Sequence, residues 1–113
     1  MHVYVATYKL CWPRADKKAC PGADVIAVFD VAIHDGVDVL SVSLDGSPED
    51  YMAEGVAIGS FHAVMRGITV VCLAGNRRAN PVSVDNVAPW ILTVGASFMD
   101  RDFVTYMFSL AII

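Results

Sequence analysis

Residues Val70–Asn76 read VVCLAGN, an apolar run that ends in a small residue, a glycine and an asparagine. A continuous apolar run of this kind is typical of a buried strand in a parallel sheet. Ligands of such sheets bind at the carboxyl ends of the strands, where Asn76 falls. The Asn76 amide can donate to a developing oxyanion, and Gly75 lets the backbone pass close to a substrate. Gly-Asn is also an ordinary turn dipeptide, so the rest of the chain decides between these interpretations.

The flanking sequence alternates between strand and helix patterns. Strands are predicted at Val3–Leu10, Val37–Leu44, Ile68–Leu73 and Trp90–Ala96, and helices from Ala23 to about Asp35 and over Tyr51–Arg66. Gly36 and Gly67 follow the helices and are suited to end them. This order predicts an α/β fold with a partial parallel sheet and flanking helices.

Burial is predicted from the same patterns. Val37–Leu44 is so continuously apolar that we expect a strand buried on both faces. The second helix has a side of small and apolar residues that is expected to pack tightly on the sheet: Met52, Val56, Gly59 and Ala63. Trp12–Gly22 and Arg77–Pro89 are predicted to be polar loops.

Composition restricts the partners. The chain has 113 residues, 56% of them hydrophobic and 18% charged, and it reads like the interior of something larger. Its net charge of −4 and its lack of a basic stripe argue against nucleic acid and anionic membrane as partners. We expect no membrane-spanning segment and no signal peptide in this chain, because no apolar run approaches ~20 residues and no basic region precedes an apolar one at the start.

The cysteines and histidines predict no metal site or cofactor, because their spacing matches no zinc motif. Cys11 and Cys20 bracket a loop whose ends can approach closely enough for a local disulfide, and two free thiols are the alternative. Cys72 is predicted to be a buried free thiol.

The other polar residues with catalytic potential have ordinary interpretations. Ser41 and Ser43 lie in a predicted strand rather than at a helix start that exposes a nucleophile. His34 falls in the last turn of the first predicted helix, where a partly positive ring suits the helix dipole, and His62 falls within the second helix.

Five motifs follow one another along the chain: YKLCW at Tyr8–Trp12, AIHDGVDVLSVSL at Ala32–Leu44, AIGSFHA at Ala57–Ala63, AGN at Ala74–Asn76 and NVAPWILTVGAS at Asn86–Ser97. In this order they resemble the plant subtilisin-like serine proteases, and the resemblance extends to about Phe103.

The resemblance implies an incomplete subtilisin-like domain. Catalytic residues of subtilases follow the order Asp, His, Ser along the chain. This chain resembles the stretch between the His and the Ser, and the motifs that carry all three are absent from it. Residues 1–103 are therefore expected to be the central portion of the peptidase domain, and residues 104–113 an apolar tail that departs from the family.

The resemblance also implies site residues. Asn76 matches the oxyanion-hole asparagine of the family. The segment of Ser43, Leu44, Asp45 and Gly46 matches the strand that pairs with the bound peptide, and Ala74 and Gly75 match one wall of the pocket that takes the residue before the scissile bond. The family usually has Gly at the position of Asp45 and Ser-Gly-Pro after Asn76, where this chain has Arg77 and Arg78. We expect these departures to disfavour substrate binding, because Asp45 would crowd the peptide groove or require an unfavourable backbone angle and the two arginines place bulky cations at the pocket rim.

Three functions are compared. The leading hypothesis is a fragment of a secreted, extracellular serine endopeptidase that acts on peptides or proteins, is inactive alone and needs the missing parts of its own domain. The alternative is a non-catalytic remnant or decoy fragment, which the departures and the tail favour. A nucleotide-binding domain would need a glycine-rich loop after the first strand, and residues 12–22 offer a single glycine.

Overall fold

The computed structural model describes residues 2–13, 18–44, 54–76 and 83–100. The elements in chain order are β1 (Trp12–Pro13), β2 (Lys18–Ala19), α1 (Gly22–Asp35), β3 (Val39–Val42), α2 (Gly55–Met65), β4 (Thr69–Leu73) and β5 (Leu92–Val94). The predicted segments Asp45–Gly46, Arg77–Arg78 and 104–113 lie outside the described residues. Neither described helix has the length and apolarity required to cross a bilayer.

A three-stranded parallel sheet organises the fold. Its strand order is β3-β4-β5, with Val42 paired to Cys72 and Cys72 to Thr93. Since parallel neighbours cannot be joined by a tight turn, β3 and β4 are connected through α2. The α/β class predicted from the sequence is confirmed.

Helix α1 forms where an apolar stripe recurs at helical spacing. Val25, Phe29 and Ala32 are its buried residues, and Gly36 ends the helix in the left-handed conformation at φ 72°. The Gly36 amide donates to carbonyls of the last turn. The predicted helix and its glycine stop are therefore confirmed.

Helix α2 begins later than predicted. Glu54 has an extended backbone and the helix starts at Gly55, while the predicted helical residues 51–53, including Met52, lie outside the described residues. Val56 and Ala63 belong to the core that includes Val70 of β4, as expected. Gly59, however, faces α1, where an added Cβ would collide with the Phe29 ring. The small side of α2 thus packs against the other helix as well as against the sheet.

Strand β3 is not buried on both faces, and that prediction is wrong. Leu40 and Val42 pack against the core cluster, whereas Val39 is 57% exposed and Ser41 is exposed. Residues of both helices belong to the same core cluster, which lies on the Leu40 face of the sheet. The opposite face is therefore open among the described residues.

The strand predicted at Val3–Leu10 is also absent. A strand requires a partner for its backbone groups, and no described residue forms a ladder with this segment. The segment is anchored by side chains instead, because the Tyr8 hydroxyl donates to Asp35 at 2.7 Å and Leu10 packs against the core.

A disulfide closes the predicted loop at residues 12–22. Cys11 and Cys20 form a disulfide, with Cα atoms 4.4 Å apart. Of the two possibilities left by the sequence, a bridge or two free thiols, the structure has the bridge. Within the loop, β1 and β2 pair antiparallel, and the Lys9 ammonium lies 4.4 Å from the centre of the Trp12 ring.

Trp90 joins the start of β5 to α2. Its indole N–H lies 3.0 Å from both the Ala57 carbonyl and the Ser60 hydroxyl, and its ring meets Phe61 edge to face at 5.3 Å. The predicted fourth strand is present over the shorter range Leu92–Val94, because Trp90 lies in a turn.

Candidate active site at the carboxyl edge of the sheet

The predicted site residues that the structure describes, which exclude Asp45 and Gly46, come together at one edge of the sheet. Ser43 and Leu44 follow the end of β3, and residues 74–76 follow the end of β4. Because β3 and β4 are parallel neighbours, these two segments leave the sheet side by side. The edge is therefore the candidate functional site.

Backbone hydrogen bonds fix the segment after β4. The Ala74 amide donates to the Val94 carbonyl at 2.9 Å, and the Ala74 carbonyl accepts from the Asp85 amide at 3.0 Å. Gly75 has a φ of 78°, and a Cβ there would collide with the carboxylate of Asp85, which is buried. Both observations require glycine, since other residues rarely adopt this conformation and have no room here.

Asn76 lies in a bend directly after Gly75 and is exposed. The left-handed glycine turns the chain away from β4 and ends the buried run, so Asn76 projects from the edge rather than into the core. An exposed amide next to a tightly held backbone can donate a hydrogen bond to a bound substrate.

Asn86 is a site residue that the sequence reasoning missed. It was included in the predicted polar loop, yet it is 4% exposed. Its Nδ2 donates to the Leu44 carbonyl and to the Leu73 carbonyl, each at 2.9 Å. No local pattern marks this burial, because the neighbouring Val84 and Val87 are exposed and the hydrogen-bond partners of Asn86 are distant in the chain.

Among the nucleophile and base candidates, Ser43 lies at this edge, because β3 ends at Val42 and does not include Ser43 as predicted, whereas His34, Ser41 and His62 do not gather there. His34 is in the last turn of α1, which precedes the start of β3, and therefore lies toward the opposite edge. Ser41 is within β3, as predicted, and His62 is on α2. No group of three metal-ligating side chains occurs in the part of the chain that the structure describes.

The Cys72 thiol is close to the edge but is turned into the core. Only 2% of the residue is exposed, and burial, with a smaller contribution from the negative charge of Glu54, raises its pKa from 9.0 to about 11. A thiol that stays protonated is a weak nucleophile. Cys72 is therefore a core residue, as predicted.

The fold and this edge define a parallel α/β protein whose candidate site lies at the carboxyl ends of its strands. Comparison with known proteins makes the class more specific. The subtilase family matches residues 3–106. The chain belongs to the subtilase family.

Its relatives include plant proteins. The chain is 56% identical over 103 residues to subtilisin-like protease SBT5.4 of Arabidopsis thaliana, covering 91% of this chain and 13% of that protein. It is 58% identical over 99 residues to subtilisin-like protease SBT5.3 of the same plant, covering 88% of this chain and 13% of that protein. Subtilisin-like protease Glyma18g48580 of Glycine max is 48% identical over 103 residues, covering 88% of this chain and 13% of that protein. The chain thus spans about an eighth of the length of these relatives.

Proposed function

We propose that this chain is the central portion of a subtilisin-like serine endopeptidase, from between its catalytic His and its catalytic Ser. Residues 1–103 form this portion, and residues 104–113 are a tail that departs from the family. The family match and the side-by-side exit of the two strand ends support the proposal. The observation that carries it is the exposed position of Asn76, directly after the left-handed Gly75 at the carboxyl edge.

In this function the chain binds substrate and stabilises charge. The peptide pairs with the backbone of residues 43–46, and Ala74 and Gly75 form one wall of the pocket that takes the residue before the scissile bond. A serine supplied by the rest of the domain attacks the peptide carbonyl, and its proton passes to the histidine. The Asn76 amide then donates to the oxyanion of the tetrahedral intermediate.

The Asn76 role is tested in a chimera, in which this chain replaces the matching 103-residue segment of the Arabidopsis relative SBT5.4. We expect Asn76→Ala to lower kcat by about 10²-fold to 10³-fold and to change KM little, because the amide acts only when the oxyanion develops. That range comes from a bacterial subtilisin. Asn80→Ala, four residues further along the chain, is the control and should keep the parent kcat. An unchanged kcat in Asn76→Ala contradicts the oxyanion role.

The same proposal makes the isolated chain inactive, because it has neither the nucleophile nor the base. Purified chain should neither cleave a fluorogenic peptide nor react with a fluorophosphonate probe. Covalent labelling of Ser41 or Ser43 contradicts this assignment.

The second candidate function is a non-catalytic remnant or decoy fragment, which the sequence departures favour. Asp45, Arg77 and Arg78 replace small residues of the family at the expected groove. If the chimera is inactive and the triple change Asp45→Gly, Arg77→Ser and Arg78→Gly restores cleavage, these departures have abolished the peptidase function. If the unchanged chimera cleaves peptides, the remnant function is contradicted.

We also propose that the whole protein is extracellular. The Cys11–Cys20 disulfide supports this location, since such bridges persist in oxidising compartments.

A further inference from the structure

We propose that Asn86 is a positioning residue for the substrate: its buried amide sets the spacing between the two segments that bind the peptide. The inference rests on the proposed peptidase function. Asn86 does not contact the substrate in this proposal, because it acts through the backbone carbonyls of Leu44 and Leu73.

The hydrogen bonds of the Asn86 amide connect the two segments directly. One Nδ2 group donates to Leu44, which follows β3, and to Leu73, which ends β4. Both distances are 2.9 Å, so each amide hydrogen has a carbonyl partner. The Oδ1 atom is buried and has no hydrogen-bond partner among the described residues. The opposite orientation of the amide would place that oxygen against two carbonyl oxygens, so the donors fix the side chain.

The backbone of Asn86 extends the connection to the third strand. Its carbonyl accepts from the Thr93 hydroxyl at 2.5 Å, and Thr93 lies in β5. Its φ of 54° is left-handed, a conformation that asparagine tolerates better than most residues. One buried residue therefore ties together the carboxyl-end region of all three strands of the sheet.

This connection has a specific consequence for substrates of different length. Leu44 belongs to the segment proposed to pair with an extended peptide, whereas the oxyanion donor Asn76 is held through Ala74 and Gly75. Ala74 has its own hydrogen bonds to Val94 and Asp85. Loss of the Asn86 amide should thus displace the peptide-pairing segment more than the oxyanion donor. An extended peptide will lose affinity, and a substrate too short to reach Leu44 will not.

The test compares two substrates in the chimera described above. Asn86→Gly accepts the left-handed backbone and removes the amide, and Asn86→Asp keeps the shape but replaces the donor by an acceptor. For a tetrapeptide anilide we expect KM to rise about tenfold in both variants, with kcat within about twofold. For an acylated single-residue ester, kcat/KM should stay within about twofold of the parent. Thr93→Ser, which keeps the hydroxyl, is the control and should match the parent on both substrates.

The outcomes separate this inference from the function on which it rests. Equal losses on both substrates, including losses through unfolding, overturn the positioning role, and so does an unchanged KM for the tetrapeptide. Asn76→Ala in the same chimera should lower kcat on both substrates. If Asn76→Ala leaves kcat unchanged while the Asn86 variants still raise KM for the tetrapeptide alone, the oxyanion assignment fails and the positioning role stands.

Discussion

At the scale of single residues, the Cys72 thiol shows how burial suppresses a nucleophile. Burial first, and the charge of Glu54 second, raise its pKa from 9.0 to about 11. The folded protein therefore holds this proton more tightly than the unfolded chain does. The stability that results is fully present below about pH 9 and is lost as the pH rises through about 11.

The raised pKa predicts slow alkylation of Cys72. At pH 8 the thiolate fraction should be about 100-fold lower in the folded protein than in the unfolded chain, because the pKa differs by about two units. Peptide-level mass spectrometry of the chimera after iodoacetamide treatment, with and without urea, compares the alkylation rates, and burial of the thiol slows the folded-state reaction further. Cys11 and Cys20 should react only after reduction of their bridge. Equal rates for Cys72 in both conditions contradict the prediction.

Residues differ in how far the sequence predicts their place at the edge. Asn76 follows an apolar run and a glycine, so its exposed position after a buried strand was predictable from local pattern. Asn86 was not predicted, because its burial depends on carbonyls 42 and 13 residues away in the chain. Hydrogen bonds over such separations leave no periodic signal in a single sequence.

At the scale of elements, the contact between the helices depends on a glycine. Gly59 of α2 is buried, and Phe29 of α1 occupies the space where a Cβ would otherwise lie. The Phe29 ring belongs to the core cluster on the covered face of the sheet. The helices also approach closely at Gly55 of α2, where a Cβ would lie 3.0 Å from the Gly22 carbonyl oxygen of α1.

Substitution of Gly59 should separate the helices. We expect Gly59→Ala to destabilise the chimera by about 1–3 kcal/mol, the usual cost of overpacking a core. The midpoint of denaturant unfolding measures it. Gly22→Ala is the matched control, since a Cβ at this helical glycine meets nothing within 4 Å. A loss of stability at Gly22 as large as at Gly59 would argue against the Phe29 contact as the cause.

The glycine that ends α1 was more predictable than the faces of the strands. Gly36 ends α1 where the sequence predicted, because a helix stop depends on neighbouring residues only. The exposure of one face of β3 was not predicted, because burial of Val39 depends on whether another element covers that face. The Val3–Leu10 segment has strand composition but no described ladder partner, so composition alone was misleading there.

At the scale of the whole molecule, the described residues cover one face of the sheet and leave the other open. Val39, Leu92 and Val94 are exposed on the open face at 57%, 59% and 51%. In a complete parallel α/β domain both faces of the sheet are covered. An uncovered apolar sheet face of this kind promotes association.

The isolated chain should therefore self-associate through this face. Val94→Lys should raise the monomeric fraction in sedimentation analysis, because it places a charge on the face and on edge strand β5. Val31→Lys is the matched control: Val31 is also 51% exposed but lies on α1. If both variants raise the monomeric fraction equally, the open face is not the association surface.

The positions of the two tryptophans give the molecule two optical reporters in different surroundings. Trp12 lies in the disulfide loop, is 52% exposed and has Lys9 over its ring, so we expect its emission to change less on unfolding than that of Trp90. The Trp90 ring packs against Phe61, and its N–H donates hydrogen bonds to residues of α2. Its emission should therefore change when α2 separates from the start of β5. In a Trp12→Phe variant, tryptophan fluorescence reports only on the contact between Trp90 and α2.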